Sequence, residues 1–305
     1  MRLRVVIVSL LVAVACGVSA CGQAEKDLLA KALRSPIHDA NIHLALTVAN
    51  GGGHLLDVDI AGPYHFNGRD KLESFDLDTR LVAHILGDTK SFAARLVSDG
   101  SDVFVVYKGV TYDVGKQRMA RFERRARAQA AHQPRMRTLA DFEHNGIHLD
   151  SWFPDASIQP DTQIDGVAVK HLSGRLDLSA AVKDIAGLLS RRAVRNDHGR
   201  RLRIPAGMAD AIDKAVSDPT FDVYVGKDDG KFRRIAAEFG LTAPGIGSSA
   251  DPAKVSFQLD FGDVGQTQTI TVPSGPYKPI SAFLAELQSE FGFSMSDNAS
   301  QSATA

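Results

Sequence analysis

Apolar and polar residues alternate with a period of two over long stretches of this chain. Ile42, Leu44, Leu46 and Val48 are interleaved with His43, Ala45 and Thr47. Successive side chains of a strand point to opposite faces, so the pattern predicts a strand with one buried side. Gly51-Gly52-Gly53 turns the chain, and Leu56, Val58 and Ile60 begin a second strand. Phe75, Leu77, Thr79 and Leu81, then Phe92, Ala94 and Leu96, continue the alternation. Val103 to Tyr107 is a short, almost wholly apolar strand, and Lys108-Gly109 predicts a tight turn into Val110–Val114. Turn signals at Gly62-Pro63, Gly87-Asp88 and Asp99-Gly100 separate these runs, as in an antiparallel meander.

The period then lengthens to that of a helix. Gln117 to Gln133 is rich in Ala and Arg, carries a thin stripe of Met119, Phe122 and Ala126, and stops before Pro134. Leu139 to His144 predicts a second helical stretch, followed by Leu149, Trp152 and Phe153 before Pro154. After a strand over Val167–Leu176, Ser179 to Val194 reads as an amphipathic helix with Ala181, Ile185, Leu188 and Leu189 inward. A further helix is expected from Pro205 to Val216, closed by Asp218-Pro219. Strands return with Phe221, Val223 and Val225, the turn Lys227–Gly230, and Phe232–Leu241. A loop over Pro244–Pro252 precedes the alternating Val255, Phe257, Leu259 and Phe261, and Thr269–Val272 predicts one more strand. Ile280–Phe291 closes the series as a helix with Phe283, Leu284, Leu287 and Phe291 on one face. This order predicts an α+β fold in which helices cover the apolar face of a curved antiparallel sheet.

The N-terminus has a separate logic. Arg2 and Arg4 precede an apolar run, Val5–Val14, broken only by Ser9, and small residues follow. That is the pattern of a secretory signal, whose apolar run is about half the ~20 residues a membrane-spanning helix needs. Val18-Ser19-Ala20-Cys21-Gly22 resembles the lipobox of bacterial lipoproteins. The resemblance implies cleavage after Ala20 and a diacylglyceryl group on Cys21, with palmitate-type chains holding the protein to the extracytoplasmic side of an envelope membrane. Cys16 follows a poorer match, and secretion without a lipid after the same cleavage is the competing reading. The expected segments are a signal peptide over 1–20, a lipidated N-terminus and short helix over 21–36, one domain over 37–292, and a disordered tail over 293–305.

Composition narrows the chemistry. The chain has 305 residues, 44% hydrophobic and 23% charged, which is ordinary for a globular protein. Losing Arg2 and Arg4 with the signal takes the formal net charge from −1 to −3. That balance argues against a nucleic-acid partner, which calls for a basic excess. Both cysteines lie in the signal and lipobox, so the expected domain has no disulfide and must be held by its core.

No motif predicts catalysis, a metal or a cofactor. Glu143-His144 and His148 lie near enough for two metal ligands, but no third ligand is evident, and the segment reads as a surface helix end. Gly226, Gly230 and Lys231 look like a shortened phosphate loop, yet they join two strands and read as a hairpin turn. No Gly-x-Ser-x-Gly elbow occurs. Two basic runs remain, Arg118–Arg127 and Arg191–Arg203. The plain reading is a solvated helix face. The alternative is that Arg121, Arg125, Arg191 and Arg192 meet anionic lipid headgroups, each charge near such a surface contributing about 1 kcal/mol.

Together, the lipobox, the hairpin Val103–Val114 and the hairpin Phe221–Ile235 resemble the bacterial lipid-carrier lipoproteins of the LolA/LolB and LppX/LprG type. The resemblance covers most of residues 37–292 in element order. It implies an incomplete antiparallel barrel covered by helices, with acyl chains held between the two. Leu44, Leu46, Val58, Phe75, Leu77, Phe92, Val105, Trp152, Phe257 and Leu259 are then the expected lining, although for Trp152 and Phe153, the pair before Pro154, plain core packing is the stronger reading. The expected function is a non-catalytic, membrane-anchored protein that binds or transfers a lipid or other amphiphile. Periodicity leaves open a filled core, and with it a sensor or scaffold lipoprotein acting through an envelope protein partner.

Overall fold

The computed structural model describes residues 23–291, apart from 69–70, 86–87, 131–137, 192–203, 206, 244–245 and 249. The chain opens on helix α1 (Gln23–Arg34), which has Glu25 in its first turn and Lys31 and Arg34 in its last, matching the helix dipole. Four long strands follow, β1 (Asp39–Asn50), β2 (Gly53–His65), β3 (Ser74–Ile85) and β4 (Asp88–Asp99), each antiparallel to the last. Strands β5 (Val103–Tyr107) and β6 (Val110–Asp113) form a hairpin. Its two turn residues, Lys108 and Gly109, both have positive φ, at 49° and 75°. That is the geometry of a two-residue turn whose twist matches its strands, as the sequence predicts.

Helices α2 (Lys116–Ala130), α3 (Leu139–His144) and α4 (Leu149–Trp152) come next. Thr138 caps α3: its hydroxyl accepts from the Asp141 amide while the Asp141 carboxylate accepts from the Thr138 amide. Strands β7 (Ser157–Ile164) and β8 (Val167–Arg175) precede helices α5 (Leu178–Arg191) and α6 (Met208–Ala215). Strands β9 (Val216–Gly226), β10 (Phe232–Leu241) and β11 (Ala253–Gly262), the two-residue β12 (Lys278–Pro279) and helix α7 (Ile280–Phe291) complete the described chain.

All twelve strands belong to one curved sheet in the order β12-β6-β5-β4-β3-β2-β1-β11-β10-β9-β8-β7. Among the described residues only the β12–β6 pairing is parallel, and the outer strands β12 and β7 do not pair, so the sheet stays open. The fold class is the one the alternation predicts. Three local expectations change. Thr269–Val272 forms no strand; it belongs to an irregular segment crossing the polar sheet face, where Arg95 donates to the Thr271 carbonyl (3.2 Å). Asp218-Pro219 lies inside β9, where a bulge and a positive φ at Asp218 (48°) absorb the proline. The eight-residue β7, which shows no alternation, is an added edge strand.

The core is in two parts. At the β7–β10 end, Leu172, Val223, Ile235 and Phe221 pack under Leu29 and Ala32 of α1, Trp152 and Phe153, and Ala181 of α5. At the β4–β6 end, Ala94, Val105, Tyr107 and Tyr112 pack under Phe283 of α7. Helix α7 is also held by hydroxyl bonds from Tyr107 to Glu290 (2.7 Å) and from Tyr112 to Glu286 (2.6 Å). The Glu286 carboxylate and burial together push the Tyr112 hydroxyl up to about 12. A pKa raised on folding supplies stability that is intact below the ordinary value near 10 and is lost as pH rises from there through about 12. Alkaline titration followed by tyrosinate absorbance should therefore show Tyr112 ionising late, as α7 loosens. Glu286→Gln should bring that ionisation back toward the ordinary range; an unchanged curve would remove Glu286 as the cause.

Candidate functional site

Between the two cores lies a strip of sheet that carries apolar side chains without burying them fully. Cross-strand register runs Leu172–Val223–Ile235–Leu259–Leu44–Ile60–Thr79–Ala94 from β8 to β4. The first three are fully buried and Ala94 is 7% exposed, while Leu259, Leu44, Ile60 and Thr79 are half-buried. The neighbouring row, Phe221–Ala237–Phe257–Leu46–Val58–Leu81–Phe92, is buried at Phe221 and Ala237 and half-buried beyond them, except that Leu81 is 38% exposed. Four strands (β11, β1, β2, β3) at about 4.8 Å spacing make the strip about 15 Å wide. Its length from Ile42 to Val48 is about 20 Å, longer than the ~15 Å an acyl chain takes in one leaflet of a bilayer core.

The expected lining residues divide on this geometry. Leu44, Leu46, Val58, Phe257 and Leu259 are cross-strand neighbours at the centre of the strip, and Leu77 continues it along β3, whereas Phe92 packs against Tyr107 and Phe283 at the β4–β6 core. Phe75, Val105 and Trp152 are packed instead, at 7%, 6% and 0% exposure. Trp152 belongs to the β7–β10 core, where its indole N–H donates to the Asp184 carboxylate (3.0 Å). Asp184 also accepts from the backbone N–H of His148 (2.5 Å) and lies 3.2 Å from its Nδ1. It thus ties α5 to α4, a role that 32 residues of separation from Trp152 hide from sequence reading. His148 is engaged there, and no group of three His, Cys, Asp or Glu side chains suited to a metal occurs among the described residues. The Gly226–Lys231 segment is the β9–β10 turn, closed by the Gly226 amide on the Lys231 carbonyl (2.8 Å).

The opposite sheet face is polar and closed by its own pairs. His171 stacks on Tyr224 with ring centroids 4.2 Å apart, and Arg234 lies over the same tyrosine at 5.9 Å. Arg234 donates to Asp260 (2.5 Å), and His43 sits between Asp59 (2.7 Å) and Asp260 (3.8 Å). Each half-exposed pair is worth about 0–1 kcal/mol, so the row does more to keep that face solvated than to stabilise it. A separate cleft of about 560 Å³ at the β6–β12 edge is lined by Asp113, Arg118, Lys278 and Ser281 among others. Its lining is mixed, with Val114, Tyr277, Pro279 and Ile280 beside those polar groups.

Of the arginines considered for headgroup contact, Arg121 is exposed on α2 next to Phe122, itself 38% exposed. Arg125 and Arg191 lie in α2 and α5, but their side chains, like Arg192 and Cys21, fall outside the described residues. No described helix is long and apolar enough to cross a membrane.

No family model matches the sequence, and no curated protein matches it. Among solved structures, the chain is similar to LprF from Mycobacterium bovis at 12% identity and a TM-score of 0.43, over 84% of this chain and 100% of that one. It is similar to the Mycobacterium tuberculosis lipoprotein LppX at 12% identity and a TM-score of 0.35, over 80% and 98%. For the LolA superfamily protein NE2245 from Nitrosomonas europaea the values are 10% and 0.20, over 84% and 96%.

Proposed function

We propose that the chain is a membrane-anchored lipoprotein that binds a lipid or other amphiphile on the apolar strip between its two cores, without catalysis. The half-burial of Leu44, Leu46, Val58, Ile60, Phe257 and Leu259, beside buried residues of the same rows on β8 to β10, supports this reading. A sheet meant only to be packed would bury its centre as well as its ends. Each acyl methylene laid there would contribute about 0.8 kcal/mol. The headgroup would remain in water, and Arg121, with Arg125, Arg191 and Arg192, is proposed to meet it or the anionic membrane surface. The two acyl chains of a diacylglyceryl group at Cys21 are enough for stable attachment, where a single chain binds only marginally.

Two measurements test the reading. The domain from Gln23 onward should take up a fluorescent fatty acid and release it to a diacyl phospholipid; a probe that never enters would contradict lipid binding. In cells, labelled palmitate should enter the full chain and be lost on Cys21→Ala. Labelling that survives the substitution would place the modification elsewhere.

A further inference from the structure

The two ends of the apolar strip are not alike, and helix α1 distinguishes them. At one end the row Ala40–Tyr64–Phe75–Ser98 is closed: Ala40 and Ser98 are 0% exposed, and Phe75 is buried. At the other end lie the β1–β2 turn and the start of β9; the end row Val48–Leu56–Ala83–Lys90 is half-buried to exposed, and Leu81, one row inward, is 38% exposed, while on β11 Val255 beside Val48 is buried. Helix α6 leads directly into β9 at this open end; none of its residues is buried, and Met208 is 40% exposed. On β1 to β4 the strip is therefore shut at one end and open at the other.

Helix α1 is built into the fold rather than trailing from it. Leu29 and Ala32 are core residues, at 1% and 2% exposure. Lys31 Nζ donates to the Lys227 carbonyl at the β9–β10 turn (3.2 Å), and α1 then enters β1 at Asp39; both lie at the closed end. Glu25 reaches the Ile158 amide (3.4 Å), which pairs with Leu172 on the mid-strand row. The helix thus runs along the strands with its N-terminus directed toward the open end. Gln23, its first residue, is the second residue after Cys21, a reach of about 7 Å at most.

We infer that the open end of the strip faces the membrane that carries the anchor, so that an amphiphile passes between the strip and that bilayer without crossing water. This rests on the proposed function, both on Cys21 as anchor and on the strip as lipid site. The packing of α1 in the core and the two-residue separation of Gln23 from Cys21 set the orientation, and the partner surface is the lipid bilayer itself.

The test uses the lipidated full chain in vesicles of phosphatidylcholine and phosphatidylglycerol that carry a nitroxide on the headgroup. A fluorophore is attached at single introduced thiols. His54→Cys and Ser91→Cys mark the open end, and Ser101→Cys and Asp228→Cys the closed end. All four native residues are exposed. Quenching at the first two should exceed that at the second two by at least twofold. Equal or reversed quenching on vesicle-bound protein would overturn the orientation and leave lipid binding standing. Failure of the chain to float with vesicles would overturn anchoring and orientation together. Inserting about ten Gly and Ser residues between Gly22 and Gln23 should abolish the contrast while vesicle binding persists. A contrast that survives the insertion would overturn the role given to α1.

Discussion

Replacing Trp152 by alanine is expected to lower the unfolding free energy by about 3–5 kcal/mol, the usual cost of emptying a buried aromatic site. The side chain is fully buried, it packs beside Phe153 and Leu172 in the larger core, and its N–H holds the Asp184 carboxylate. Its own carbonyl accepts from the Asp177 amide (2.7 Å), so the cavity would open where α4 meets the start of α5. Against a typical total of about 5–15 kcal/mol, this is a large fraction. Denaturant titration should show a lower midpoint with an unchanged slope. Trp152→Phe keeps most of the ring and drops only the donor, so it should cost about 1–3 kcal/mol. If alanine costs less than about 1 kcal/mol, the residue is not a core residue and the two-core account fails at its larger end.

The second large effect is on binding rather than folding. Leu46 and Val58 are cross-strand neighbours at the centre of the strip, and both are half-buried. Asparagine at both positions leaves amides that water can reach when the strip is empty and that an acyl chain must strip of water when it is filled. Each unpaired amide costs about 1–3 kcal/mol. Together they should weaken uptake of a fluorescent fatty acid by about 30-fold or more. Stability of the empty protein should fall by no more than about 2 kcal/mol, because neither residue is fully buried in it. Ala45→Asn, on the opposite face of β1 between Leu44 and Leu46, should leave uptake unchanged. Equal effects at positions 45 and 46 would mean that the strip is not where the probe sits.

Alternation alone makes most of the sheet legible in the sequence. Strand β10 and helix α7 fall on the residues that periodicity marks, Phe232–Leu241 and Ile280–Phe291. What failed did so for identifiable reasons. Strand β7 reads Ser-Ile-Gln-Pro-Asp-Thr-Gln-Ile, with no alternating apolar set, because it is an edge strand. Pro160 is tolerated there at a register shift between Gln159 and Thr162, where no ladder donor is needed. The segment Thr269–Val272 alternates but crosses the sheet instead of joining it, and composition cannot tell a crossing chain from a pairing one.

The strip was half legible. The residues on the apolar face of β1 and β11 follow from period two alone, so Leu44, Leu46, Phe257 and Leu259 were identifiable as one surface. Whether helices cover that surface depends on where α5 and α7 dock, and Leu44 and Leu172 have the same local pattern although one is half-buried and the other has no exposure. Trp152 was ambiguous for the same reason. Its partner Asp184 resolves it into the core, and no local signal links the two.

Native mass spectrometry of the chain from Gln23 onward, produced in a bacterium and purified without detergent, tests the central claim most directly. The predicted result is a bound amphiphile with acyl chains that leaves on denaturation and is missing from the L46N/V58N variant. The contradicting result is a lipid-free mass that stays lipid-free after incubation with phospholipid vesicles.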